Sequence, residues 1–222
     1  MKVKVCGMTT LEQLRNLDEI GVEYAGFIFY PSSPRYVFRN GLSGADVKNA
    51  KLKLIKVGVF VDASLEDMKK QVDAFGLDMV QLHGSETPGQ CRQIAAYINV
   101  IKAFRFSEND DVEWMIKDFY ADTDFFLFDT GMQVSKEGRE DKTLYGGTGR
   151  KFDWNQLKGL NVGKPFFLSG GIEPGDADTV KAFMKEPVAK DLMVIDINSH
   201  FETAPGIKNM NKVKQFVSEL ND

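Results

Sequence analysis

The sequence predicts an α/β fold, a (β/α)8 TIM barrel formed by a single domain over residues 1–222. Three observations lead to this prediction. Short, β-rich apolar runs alternate with amphipathic helical stretches from one end of the chain to the other. Eight such runs are present, and several are almost wholly apolar, as is typical of parallel strands covered on both faces. A chain of 222 residues lies toward the lower end of the size range of such barrels.

The predicted strands are short, and most are followed by a polar or small residue. They span residues 2–6, 24–29, 54–61, 79–82, 100–104, 125–128, 166–169 and 193–197. An open, doubly wound sheet is the structural alternative, but it usually has fewer strands and often carries a GxGxxG motif after the first one. Here the first strand ends in Cys6-Gly7-Met8, which is not that motif. The strand count therefore favours the barrel.

The segments between the strands have the start signals and apolar stripes of helices. Capping pairs three residues apart are Thr10 with Gln13, Ser64 with Asp67, and Thr87 with Gln90. Near the C-terminus a stripe at i, i+3, i+4 and i+7 consists of Val213, Phe216, Val217 and Leu220. The helix around residues 45–50 has a weaker pattern. Segments 131–151 and 198–208 are predicted to be long loops, which are usually functional or mobile in a compact domain.

Composition excludes several classes of protein. Hydrophobic residues at 43% and charged residues at 27% exclude a disordered or collagen-like chain. A net charge of −4 gives no electrostatic basis for non-specific nucleic-acid binding. The start of the chain has no apolar signal region, and the longest apolar stretch, residues 24–30, is far shorter than the ~20 residues of a membrane span. Two cysteines form no disulfide framework or metal-binding spacing, so we expect a reduced, cytoplasmic protein.

Catalytic groups of a barrel gather where strands end, and two such positions carry reactive side chains. Cys6 ends the first predicted strand and is followed by Gly7, although a free cysteine is more often an inert core residue. Asp129 follows four consecutive phenylalanine or leucine residues, so partial desolvation would raise its pKa and leave it able to act as an acid. A helix cap or a loop hydrogen bond is an equally good explanation for Asp129 from its position alone.

Other strand ends suggest binding groups. Gly170 and Gly171 directly follow the seventh strand, where backbone N–H groups of barrels bind phosphate, although a tight turn also needs glycine. Ser199, after the eighth strand, could add a donor. Arg35 could clamp a carboxylate with two hydrogen bonds, and a surface ion pair is the alternative. His83 is one of only two histidines and is more often structural in such a position, so a histidine-ligated metal is not expected.

At these residues the sequence resembles the phosphoribosylanthranilate isomerase family, over almost the full chain. The matching segments are VKVCGM at 3–8, GFIFY at 26–30, SPRYV at 33–37, VGVFV at 57–61, QLHG at 81–84, Asp129, GGTG at 146–149, FDW at 152–154, LSGGI at 168–172, DINS at 196–199 and PGIK at 205–208. So many segments in one order are highly specific. His200 and Phe201 depart from the family pattern of a small and then an apolar residue.

The resemblance implies an Amadori rearrangement of N-(5-phosphoribosyl)anthranilate in tryptophan biosynthesis. An acid protonates the furanose ring oxygen, and the ring opens to a Schiff base. A base then removes the C2 proton to give an enolamine, which tautomerises to 1-(2-carboxyphenylamino)-1-deoxyribulose 5-phosphate. The family pattern makes Asp129 the acid and Cys6 the base. Near neutral pH this requires a pKa above ~3.9 for Asp129 and below ~8.5 for Cys6.

The resemblance also assigns residues to the two anionic ends of the substrate. Gly170, Gly171 and Ser199 would bind the phosphate, with Gly147 in a glycine loop that closes over the sugar. Arg35 would bind the anthranilate carboxylate. His83 and Asp196, at the rim, would orient the substrate or tune the acid. No step needs a metal or organic cofactor, and the expected partner is one small phosphorylated substrate, with the protein a monomer or homodimer.

Rival functions remain within and outside this family. Another sugar-phosphate isomerase of the ProFAR type would place an aspartate at the position of Cys6, and an indole-glycerol-phosphate synthase would need a lysine that ends a strand. A ribulose-phosphate epimerase would need metal-binding histidines. A catalytically idle phosphate-binding barrel is the alternative from a different class, and only activity separates it from an enzyme.

Overall fold

Eight parallel strands close into a barrel in the computed structural model, which describes residues 1–106, 110–130 and 154–222. Each strand pairs with the next along the chain, and β8 pairs with β1, so the fold class predicted from the sequence is confirmed. The strands are β1 Lys2–Cys6, β2 Tyr24–Ile28, β3 Ile55–Phe60, β4 Met79–Leu82, β5 Asn99–Phe106, β6 Phe125–Thr130, β7 Phe166–Leu168 and β8 Leu192–Ile197.

Helices follow most strands and cover the outside of the barrel. They are α1 Leu11–Ile20, α2 Gly44–Asn49, α3 Leu65–Phe75, α4 Pro88–Ala95, α5 Val112–Ile116, α6 Ala177–Phe183 and α7 Met210–Asn221. The described part of the segment between β6 and β7 contains a 3₁₀ turn at Trp154–Leu157. None of the helices in the described ranges is long and apolar enough to cross a membrane.

The predicted helix starts are confirmed, but of the three pairs only Thr87 and Gln90 form the full reciprocal capping box. Ser64 and Thr87 each accept a hydrogen bond from the backbone N–H three residues on. Thr10 does the same for α1, but the Gln13 side chain does not close the capping box. Its amide instead donates to the Gly206 carbonyl and accepts from the backbone N–H of Lys208. Gln13 thereby ties the first helix to the segment that follows β8.

The core has two layers, as the alternation of side chains along each strand requires. Outward-facing side chains pack against the helices in the larger cluster, and the predicted stripe of α7 is buried there. Inward-facing side chains fill the barrel with Tyr24, Val57, Met79, Ile101, Ala103, Leu127, Phe167 and Val194. These apolar side chains fill the lower part of the barrel, and polar residues line its carboxyl-terminal mouth.

Two predicted boundaries differ in ways that matter for the site. β5 and β6 run beyond their predicted ends at residues 104 and 128, so Arg105 and Asp129 lie within paired strands and are register partners. The predicted loop 198–208 contains a 3₁₀ turn at Ser199–Phe201 and an antiparallel hairpin, β9 Glu202–Ala204 with β10 Ile207–Lys208. The other predicted loop, 131–151, lies outside the described residues.

Candidate active site

The polar groups at the mouth come from four strands of the barrel. Cys6 ends β1, Asp129 lies near the end of β6, Asp196 is the penultimate residue of β8, and His83 directly follows β4. Side chains of a strand alternate between its two faces. Each of these four residues lies an even number of positions from a residue of the same chain segment that faces inward, so its side chain also points toward the barrel axis. Closure of the sheet thus brings together four side chains that are far apart in sequence.

Cys6 is buried against β2. An ideal Cβ placed on Gly26 would lie only 2.9 Å from Cys6 Sγ and 3.0 Å from its Cα, so only glycine allows the two strands to run this close. Gly7 follows with a φ of 79°, a left-handed conformation that suits glycine. Burial raises the pKa of the Cys6 thiol, and the positive charge of Lys4 acts against it. The direction is opposite to the one that the sequence analysis expected.

Asp196 forms an ion pair inside the barrel. Its Oδ2 accepts a hydrogen bond of 2.8 Å from Lys4 Nζ, and both side chains are buried. Its other oxygen, Oδ1, is buried without a hydrogen-bond partner. Burial raises the pKa of Asp196; the charge of Lys4 lowers it, and the nearby carboxylate of Asp129 raises it further. Asp196 is therefore an acidic group with one oxygen available to a ligand hydroxyl.

His83 lies between an amide and the second carboxylate. Gln81 Nε2 is 2.8 Å from His83 Nδ1, and His83 Nε2 is 3.4 Å from Asp129 Oδ2. Because the amide nitrogen is a donor, Nδ1 accepts, and a neutral imidazole then carries its proton on Nε2, which faces Asp129. The histidine therefore lies beside one oxygen of Asp129, and within the described residues its buried Nε2 makes no hydrogen bond.

The segment that carries His83 is itself held by a buried network outside the barrel wall. Lys102 Nζ donates to the Gly84 carbonyl at 2.8 Å and to Glu86 Oε2 at 2.7 Å. Glu86 in turn accepts from the backbone N–H groups of Asp62 and Gly84. These hydrogen bonds hold the backbone just after β4 and the neighbouring backbone just after β3, so the segment that carries His83 is fixed in position.

Arg35 pairs with a carboxylate of the hairpin after β8. Its Nε and Nη2 donate to the two oxygens of Glu202 at distances of 2.8–3.0 Å. Glu202 also accepts a 2.6 Å hydrogen bond from Lys208 Nζ, which in addition donates to Asn198 Oδ1. Burial lowers the pKa of Lys208 to about 8, against the charge of Glu202. Arg35 is thus oriented by the protein, with its Nε edge already engaged.

The predicted phosphate residues follow two neighbouring strands. Gly170 and Gly171, after β7, have φ values of 98° and 69°, which side-chain-bearing residues rarely adopt. Ser199, after β8, begins a 3₁₀ turn. Because β7 and β8 are paired, both segments lie at the same edge of the mouth. Gly147, the other predicted binding residue, lies outside the described residues.

Sequence reasoning missed three charged residues of the site. Lys4 lies inside an apolar strand, and the only indication of its role in the sequence is that it shares a strand face with Cys6, two positions later. Glu202 gave no sign that it would hold Arg35, since their contact joins residues 167 positions apart. Lys208, in the PGIK segment, gave no sign that it would be buried. Within the described residues, no three histidine, cysteine, aspartate or glutamate side chains are placed to hold one metal ion.

The mouth therefore combines two aspartate carboxyl groups, a thiol and an imidazole. Such a set can move protons between two positions of a bound ligand, because it offers several groups that donate or accept protons. The glycine turn after β7 and the oriented arginine suit a ligand with two anionic ends.

Comparison with known proteins agrees with this chemistry. Residues 3–219 match a family model described as N-(5'-phosphoribosyl)anthranilate isomerase. A curated relative of that name from Parabacteroides distasonis is 37% identical over 221 residues, which cover 99% of this chain and 93% of the relative.

Solved structures of similar proteins have the same fold. The phosphoribosyl anthranilate isomerase of Thermotoga maritima is 31% identical with a TM-score of 0.79, covering 100% of this chain and 98% of that one. A structure of such an isomerase in complex with reduced 1-(o-carboxyphenylamino)-1-deoxyribulose 5-phosphate is 29% identical with a TM-score of 0.75, again covering 100% and 98%.

Proposed function

The chain belongs to the N-(5'-phosphoribosyl)anthranilate isomerase family, and from this premise we propose that Cys6 and Asp129 carry out the proton transfers of its reaction. The protein is an isomerase of tryptophan biosynthesis. It rearranges N-(5'-phosphoribosyl)anthranilate to 1-(2-carboxyphenylamino)-1-deoxyribulose 5-phosphate. The observation that carries the assignment of roles is the convergence of Cys6, Asp129 and Asp196 on the inner face of the barrel mouth.

Asp129 is the general acid in this proposal. It delivers its proton to the furanose ring oxygen, the C1–O bond breaks, and the nitrogen lone pair forms the Schiff base. His83 Nε2 lies 3.4 Å from Asp129 Oδ2, so the histidine is next to the carboxyl group that delivers the proton.

Cys6 is the general base. Its thiolate takes the proton from C2, the electron pair of the C–H bond becomes the C1–C2 double bond, and the iminium nitrogen is neutralised. The Schiff base is cationic, so its formation next to the sulfur favours the thiolate just when a base is needed. The resulting enolamine tautomerises to the ketone. All steps are proton transfers and bond rearrangements within the substrate, so none uses a metal or organic cofactor.

The remaining residues bind the substrate. Gly170, Gly171 and Ser199 hold the phosphate through donors at the paired ends of β7 and β8, and Gly147 contributes from the glycine loop. Arg35 uses the edge not taken by Glu202 to bind the anthranilate carboxylate. The unpartnered Oδ1 of Asp196 accepts a ribose hydroxyl.

We further propose that the protein acts in the cytoplasm as a single domain, residues 1–222, and as a monomer or homodimer. The pairing of β1 with β8 joins the two ends of the chain and supports one domain. Two free thiols suit a reducing compartment. A net charge of −4 offers nucleic acid no attraction, so the proposed partner is the small phosphorylated substrate alone.

A turnover assay on freshly generated phosphoribosylanthranilate tests the assignment, with loss of anthranilate fluorescence as the signal. We expect fast decay with the wild-type protein and a rate lower by roughly 10²- to 10⁴-fold with Asp129→Asn or Cys6→Ala. Circular dichroism confirms that each variant is folded. Folded variants as fast as wild type would overturn the two roles, and no acceleration by wild type would favour an idle phosphate-binding barrel or another sugar-phosphate isomerase.

A further inference from the structure

A buried lysine lies directly below the proposed base. Lys4 is fully buried in the interior of the barrel and pairs with Asp196 at 2.8 Å. Transfer of two charges from water to such a site carries a large desolvation cost for each ion, and apolar residues of similar volume are often as stabilising. The stability of the barrel therefore gives no reason for a charge at this position, and a role in the chemistry of the mouth is the better explanation.

The side chains of Lys4 and Cys6 lie on the same face of β1 and approach each other near Gly26. They are two residues apart on β1, so both side chains lie on the inner face of the barrel. An ideal Cβ on Gly26 would lie 2.9 Å from Cys6 Sγ and 3.2 Å from Lys4 Cε. The two side chains thus converge over the same glycine of β2, and Asp196 fixes the end of the lysine from the opposite side.

We propose that Lys4 is a positioning residue for the isomerisation: held by Asp196, its ammonium group provides the positive charge that accompanies the thiolate form of Cys6. This inference rests on the proposed role of Cys6 as the base. During the reaction Lys4 keeps its proton, and the C2 proton moves only to the sulfur. Removal of the lysine charge would leave a buried sulfur with much less tendency to ionise.

The other charged groups around Cys6 do not replace Lys4. Asp196, on β8, has the opposite sign and disfavours the thiolate. Lys208, on β10, favours it less strongly than Lys4 and is already bonded to Glu202 and Asn198. From β2 the sulfur meets Gly26, which carries no charge.

The two ionisable groups on the far side of the mouth, Asp129 and His83, act on Cys6 indirectly, because each shifts the pKa of Asp196. Asp129 on β6 raises the pKa of Asp196 and His83 after β4 lowers it, whereas burial and Lys4 have larger effects on that carboxyl group. Lys4 and Asp196 are therefore the two charges that act most strongly on the sulfur.

A direct titration of the thiol tests the proposal independently of turnover. In a Cys91→Ala background Cys6 is the only thiol, and its thiolate is followed by ultraviolet absorbance as the pH is raised. We expect Lys4→Met to move the midpoint upward by about one pH unit or more, since loss of a nearby opposite charge has an effect of this size. The acid limb of the kcat/KM profile should move in the same direction.

Paired variants separate this role from folding. Lys4→Met with Asp196→Asn leaves no unpaired buried charge, and its midpoint should stay above that of the parent because Lys4 acts on the thiol more strongly than Asp196. The matched control is Lys102→Met with Glu86→Gln, which removes a buried pair of 2.7 Å on the outside of the barrel. That control should leave the Cys6 midpoint unchanged.

An unmoved or lower midpoint in both folded Lys4 variants would overturn the inference. So would an equal shift in the Lys102 control, since the effect would then be a general result of losing a buried pair. Failure of the proposed base is distinguishable, because it would appear as wild-type turnover by Cys6→Ala whatever the titration shows.

Discussion

Single atoms decide what the proposed base can do. The sulfur of Cys6 is buried, and burial raises the pKa of its thiol while Lys4 acts in the opposite direction. Asp196 Oδ1 has no hydrogen-bond partner within the described residues. Several neighbouring charges act on the sulfur and on the carboxyl group of Asp196, and Lys4 has the largest effect of these on both. At this scale the chemistry depends on contacts a few ångströms long.

Gly26 gives a prediction at the same scale. Gly26→Ala should lower kcat by roughly tenfold or more, because its Cβ would meet both the sulfur and the Cα of Cys6 and displace the base. Overpacking should also cost about 1–3 kcal/mol of stability. Steady-state kinetics and urea unfolding measure the two effects.

Gly89→Ala is the matched control for this substitution. A Cβ at Gly89 meets nothing closer than Thr87 Oγ1 at 4.0 Å, so both kinetics and stability should stay near wild type. Unchanged kcat in Gly26→Ala would show that the close approach of β2 to Cys6 has no catalytic consequence.

Sequence reasoning identified some of these residues and not others for a physical reason. Cys6 and Asp129 could be found because each interrupts or ends an apolar run. Lys4 could not, since a lysine between two valines is equally compatible with a strand whose other face meets water. Only closure of the barrel makes that face an interior and turns the lysine into a buried charge.

At the scale of elements, the hairpin after β8 supports the neighbouring loop after β2. Glu202 on β9 binds Arg35 through both carboxylate oxygens and also holds Lys208 of β10. The sequence predicted a loop here, because strands of three and two residues are too short to show alternation. β5 and β6 were predicted too short because a charged residue, Arg105 or Asp129, interrupts each apolar run, whereas backbone pairing continues as far as the partners Phe106 and Thr130.

This support gives the second prediction. Glu202→Gln should raise KM by about tenfold with a smaller change in kcat, because Arg35 loses the bidentate contact that orients it for the substrate carboxylate. Steady-state kinetics with phosphoribosylanthranilate measure the split between KM and kcat.

Asp122→Asn is the control for a general effect of losing such a pair. Asp122 also binds an arginine through both oxygens, Arg92, but on the outside of the barrel. KM should be unchanged in this variant. A wild-type KM in Glu202→Gln would contradict the role assigned to the Arg35–Glu202 contact.

For the whole molecule, the number and order of strands could be predicted because each strand is encoded locally by its own apolar run. The site could be predicted only as a set of strand ends. Distances such as that between His83 and Asp129 depend on how the sheet closes, and no local pattern carries them. Long-range ion pairs such as Lys4–Asp196, 192 residues apart, were missed for the same reason.

Global stability should depend on pH through Cys91, which packs in the outer core. Burial raises the pKa of this thiol to about 11 from an ordinary value of 9.0. The folded state therefore holds the proton over a range where the unfolded chain has lost it, so the stabilising contribution is complete below pH 9 and is lost as the pH rises toward 11. Cys91→Ala should lack this loss.

Urea unfolding of both proteins at about pH 8 and about pH 10.5 measures the difference. Cys91→Ala leaves a small cavity and should be less stable than wild type at the lower pH, with the gap narrowing at the higher pH. A constant gap would show that the thiol ionises equally readily in the folded and unfolded states, and a widening gap would show that it ionises more readily in the folded state; either result contradicts the prediction.

The assignment of Cys6 as the base is tested most directly by the isotope effect at the C–H bond that it is proposed to break. Turnover of substrate deuterated at ribose C2 is compared with that of the unlabelled compound, for wild type and for Cys6→Ser. A serine hydroxyl is a much weaker base, so C2–H cleavage should become slower and more rate-limiting, and the primary isotope effect should be larger in the variant than in wild type. A slow but folded variant with an unchanged isotope effect, or one that turns over at the wild-type rate, would contradict the account.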